Sequence, residues 1–114
     1  MAKPDIEVTC EYEVADDDVF LEVTIGNGNL GTTEVFLDGG EVDPEPGDDH
    51  RWRLGPGPEL KDKTLEVDSV VHPVTSKKIV VTSHLTGGVK PGTCVAKGAT
   101  QSSAPVTVQM LIDF

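Results

Sequence analysis

From Lys63 to Leu85 the apolar residues of this chain fall on every second position. Leu65, Val67 and Val71 alternate on one arm, and Ile79, Val81 and Leu85 on the other, about the break Pro73-Val74-Thr75-Ser76-Lys77. Successive side chains leave a strand on opposite sides, so this period marks strands with one face buried and one face wet. The spacing predicts a hairpin. Val71 would oppose Ile79, Val67 would oppose Ser83 and Leu65 would oppose Leu85, with Val70–Val80, Asp68–Thr82 and Glu66–His84 on the other face. A slip of one residue would mix the two faces, which fixes the register of such a pair.

The same period runs through the rest of the chain. Asp5 to Val14 reads as a first strand with Ile6, Val8, Cys10, Tyr12 and Val14 inward, and Asp18 to Gly26 as a second with Val19, Leu21, Val23 and Ile25 inward. Setting Val14 against Val19 aligns the two apolar faces, so a second hairpin is expected there. Asn27-Gly28 carries a two-residue turn signal. A paired hairpin at that point would set Leu21 against Glu34, so a crossing to a second sheet is expected instead, leading into a strand over Thr32 to Asp38. Gly39 to Asp49 reads as a loop. His50 to Leu54 reads as a short strand with Trp52 and Leu54 inward and Arg51 and Arg53 outward, and Thr93 to Lys97 and Ala104 to Phe114 complete the set. No stretch has helical apolar spacing.

The 12 glycines and 8 prolines fall mostly between these segments, where chain reversals need them. Seven or eight short strands in one domain, residues 1–114, predict an all-β, two-layer antiparallel sandwich of immunoglobulin or fibronectin type. The order Cys10, Trp52, Cys94 resembles that of an antibody domain. That resemblance implies a Cys10–Cys94 bond, but Cys10 lies on the first strand and no tyrosine stands two residues before Cys94. Cys10 is therefore expected to be a buried free thiol. The last strand, ending at Phe114, resembles the closing strand of outer-membrane barrels and equally that of subunits that assemble by strand exchange.

The net charge of −11 is unevenly spread. Residues 1–60 hold sixteen carboxylates against three lysines and arginines, and residues 61–114 hold four against six. A chain this acidic is repelled by nucleic acid and by anionic membrane, and suits a basic protein partner. No apolar run approaches the ~20 residues of a helical membrane span, and no apolar signal segment follows the first five residues.

Candidate chemistry is sparse. His50, His72 and His84 are scattered, and Ser69 and Ser83 fall at inward positions, where core hydroxyls are expected. The acidic loops are the candidate metal site: Asp16, Asp17 and Asp18 in one turn, and Asp38, Glu41, Asp43, Asp48 and Asp49 around the long loop. Calcium is the ion that oxygen-rich loops of this kind hold, although their spacing does not follow an EF-hand. Phe20, Phe36, Val70 and Val80 stand at outward positions and, if they meet, form an apolar interface for a partner or a second copy. The expected function is a non-enzymatic binding or structural module without a cofactor, engaging a protein through its acidic loop end or this apolar patch. A calcium- or carbohydrate-binding accessory module is the alternative.

Overall fold

A computed structural model describes residues 3–114. Nine strands are formed among the described residues: β1 (Ile6–Glu11), β2 (Asp18–Ile25), β3 (Leu30–Leu37), β4 (Gly40–Val42), β5 (Arg51–Pro56), β6 (Thr64–His72), β7 (Lys78–Thr86), β8 (Gly92–Ala99) and β9 (Val106–Asp113), with one helical turn, α1 (Gly57–Leu60), after β5. They build two packed sheets. One has five strands in the order β1-β9-β6-β3-β4, and the other has four in the order β5-β2-β7-β8. The all-β sandwich expected from the alternation is therefore present. In an immunoglobulin domain the last two strands share a sheet, whereas β8 and β9 lie in different sheets, so the connectivity does not carry that finer label.

The inward positions are those the period-two pattern marks. Leu65, Val67, Ser69 and Val71 of β6 and Ile79, Val81, Ser83 and Leu85 of β7 are all buried, and Trp52, Leu21, Val35 and Met110 join them in one core. Each fully buried Val, Leu or Ile contributes about 1.5–3 kcal/mol of transfer free energy. The two core serines are satisfied: the Ser69 and Thr33 hydroxyls are 2.8 Å apart, and the Ser83 hydroxyl donates to Met110 Sδ across the sandwich at 3.0 Å.

Neither expected hairpin forms. β6 pairs with β3 and β9, while β7 pairs with β2 and β8, so the break at 73–77 carries the chain from one sheet to the other. The expected pairing of β1 with β2 fails in the same way: β1 runs parallel to β9, and β2 lies in the opposite sheet. The cause is geometric. Two strands that face each other across a core both point their apolar residues inward, as two neighbours in one sheet do, so matching faces cannot tell pairing from stacking.

Among the described residues, the two hairpins that do form are β3–β4 and β7–β8. Asp38 and Gly39 close the first with φ of 47° and 85°, a left-handed pair that suits an Asp-Gly turn. The expected crossing between β2 and β3 is present. Asn27 and Gly28 turn with φ of 59° and 73°, and the buried Asn29 carboxamide then ties the crossing to the 73–77 break, its Oδ1 accepting from the Thr75 and Ser76 N–H groups.

The cysteines also correct the expectation. Cys10 of β1 and Cys94 of β8 form a disulfide. β1 and β8 are edge strands of different sheets, so the bond closes one side of the sandwich. The last strand, β9, is held between β1 and β6 inside the five-stranded sheet. Among the described residues, no helix is long and apolar enough to cross a membrane.

Candidate functional site

Strand order decides which outward side chains share a surface. On the five-stranded sheet, Glu7, Gln109, Asp68 and Glu34 line up in one cross-strand row. Thr9, Leu111, Glu66, Phe36 and Glu41 make the next row. Val70 stands beyond, between Thr107 and Thr32. Glu11 and Asp113, paired in register, add two carboxylates at the end of the face. Among the described residues, none of the five strands contains a lysine or arginine. The face therefore carries the carboxylates Glu7, Glu11, Glu34, Glu41, Glu66, Asp68 and Asp113 around half-buried Leu111, Phe36 and Val70.

At the centre of this face burial comes first and neighbouring like charge adds to it. Burial of Asp68, then the neighbouring Glu66 carboxyl and the negative charge of Glu34, raise its pKa from 3.8 to about 7, while the Gln109 amide acts against the rise. A hollow of about 340 Å³ opens over this point, lined in part by Lys3, Pro4, Glu66, Asp68, Val70 and Gln109. A strongly perturbed carboxyl lining a hollow is a physical marker of a site.

The perturbation has a consequence for stability. Below about pH 4, Asp68 is protonated in the folded and unfolded chain alike. Between about pH 4 and 7 the unfolded chain ionises first, so the folded state loses stability as the pH rises through that window. Asp68→Asn should remove this loss. The variant is expected to match the parent near pH 4 and to exceed it by about 1 kcal/mol at pH 8, after the screening that a half-exposed carboxyl receives from water. Urea unfolding at the two pH values measures the difference, and equal gains at both would show that charge on Asp68 is not the cause.

The loop carboxylates behave differently. Asp16, Asp17, Asp18 and Asp38 lie at the end of the sandwich where β2 begins and β3 ends, whereas Glu41, Asp43, Asp48 and Asp49 follow the β4–β5 side. Several already have partners: Asp18 pairs with Arg53 at 2.6 Å, Asp38 accepts the Thr64 N–H at 3.0 Å, and Asp48 accepts the His50 N–H at 3.0 Å. Among the described residues, no three His, Cys, Asp or Glu side chains converge as a metal ion requires.

The four outward apolar residues do not meet. Phe36 and Val70 lie on the five-stranded sheet, and Phe20 and Val80 on the outer face of the four-stranded one. Trp52 is in the core as expected, Arg53 pairs with Asp18, and Arg51 sits over the Phe20 ring, 4.7 Å from its centroid. His84 faces Glu22 and Thr93 rather than Glu66, and His72 faces Leu30.

The carboxylate row was beyond reach of the sequence alone. Glu34 and Asp68 are adjacent only because β3 pairs with β6, and a hairpin of β6 with β7 sets Asp68 against Thr82 instead. The Asp38-Gly39 turn was the available signal, since it fixes β3 and β4 as neighbours. Comparison of the chain with protein-family models, with curated proteins and with solved structures finds no match.

Proposed function

We propose that this domain is a non-enzymatic binding module that takes a basic protein surface onto the outer face of its five-stranded sheet. The observation that carries the reading is the composition of that face: seven outward carboxylates, no lysine or arginine in its strands, and half-buried Leu111, Phe36 and Val70 between them. Carboxylates flanking apolar side chains suit an arginine-rich partner, whose guanidinium groups bond carboxylates in pairs while their stems cover apolar surface. The raised pKa of Asp68, which burial sets first and the neighbouring Glu66 and Glu34 add to, fits the same role, because an arriving cation offsets the carboxylate part of that rise.

The test is calorimetric titration with an arginine-rich peptide at low and high salt. Binding should weaken steeply with salt. Glu66→Lys with Asp68→Lys should abolish it, while Asp43→Asn with Asp48→Asn and Asp49→Asn should leave it nearly intact. The reverse pattern would move the site to the acidic loop, and absence of binding at low salt would refute the reading.

A further inference from the structure

The outer face of the four-stranded sheet has the opposite character. Its outward strand positions hold Arg51, Arg53, Lys78 and Lys97 against the carboxylates Asp18 and Glu22. Asp18 is already paired with Arg53. Phe20 and Val80 stand among these cations, half-buried, and Val95 is 38% exposed beside them. A chain of net charge −11 thus presents one cationic sheet face, directly behind its most acidic one. Phe36 and Val70 lie on one face and Phe20, Val80 and Val95 on the other, so the two sets cannot meet within a single molecule.

We infer that the partner is a second copy of this chain, whose cationic face stacks on the acidic face of the first. The inference rests on the proposed function of the acidic face and names its occupant. Charge complementarity carries it. By strand rise and spacing, Arg51 and Lys97 lie about 13 Å apart along the strands and about 14 Å across them, a spread that the carboxylate rows from Glu7 to Glu41 can match. Stacking would cover Phe36 and Val70 with Phe20 and Val80. The contact joins unlike faces, so a stack of any length leaves one acidic and one cationic face open at its ends, and growth does not stop at two. Four strands of about eight residues span roughly 20 by 25 Å, which places the contact at the small, transient end of protein interfaces. Association should be weak and sensitive to salt.

Light scattering of the intact chain, at increasing concentration in low and high salt, tests the inference. The mean mass should climb with concentration in low salt without levelling at a dimer, and should return to the monomer in high salt. Arg51→Glu with Lys97→Glu should weaken association about tenfold or more. Lys61→Glu with Lys90→Glu makes the same change in net charge at one end of the sandwich and should retain most of it. A monomer at all concentrations, or equal loss in both variants, would overturn the inference. If the arginine-rich peptide still bound such a monomer, the binding role of the acidic face would stand and only its occupant would change.

Discussion

Reduction of the Cys10–Cys94 bond is expected to remove about 4 kcal/mol from the unfolding free energy. The bond spans a sequence separation of 84 residues, and in the chain-entropy account a cross-link of that reach restricts the unfolded chain by roughly this amount. The structure adds a local reason. β1 has a single sheet neighbour, β9, and β8 has a single neighbour, β7. The bond joins these two edges where the sheets would otherwise part. Denaturant unfolding with and without reductant measures the loss, and Cys10→Ser with Cys94→Ser should reproduce it. The reduced chain should also show a larger denaturant dependence, because its unfolded state is no longer held compact. A change below about 1 kcal/mol would mean that strand pairing alone holds these edges.

Trp52→Ala should cost about 3–5 kcal/mol, the range for removing a large aromatic side chain from a core. Trp52 is 1% exposed and stands on the edge strand β5, opposite Leu21 of β2, itself fully buried. For a domain of this size that corresponds to a fall in melting temperature of some 15 °C or more. Arg51 and Arg53, its outward neighbours, provide the comparison. Either changed to Ala should cost under about 1 kcal/mol, since an exposed ion pair or ring contact contributes little. A small effect at Trp52 would contradict the placement of β5 over the core.

These two expectations differ in how far the sequence reveals them. Trp52 is readable from Arg51-Trp52-Arg53 because alternation alone assigns a side chain to the inside or outside. The same rule places Leu65, Val67, Ile79 and Val81 in the core, where they are found. The disulfide is not readable that way. It depends on β1 and β8 lying at matching edges of two sheets, and alternation does not say which strands are neighbours. That blindness also produced the two expected hairpins and concealed the Glu34–Asp68 row. Loop chemistry carries part of the missing neighbour information. Asp38-Gly39 marks the β3–β4 hairpin, and Pro73, which offers no N–H to a ladder, stands at the β6–β7 crossing. The candidate face is therefore a property of topology: its carboxylates are visible in the sequence, and their convergence is not.

The most direct test of the central claim is a map of backbone amide shifts in the isotope-labelled protein during titration with the arginine-rich peptide at low salt. The account predicts the largest changes at Glu34, Glu66, Asp68, Gln109 and Leu111, which belong to three different strands and are neighbours only in the folded sheet. Changes confined to residues 43–49, or spread evenly over the acidic surface, would contradict it.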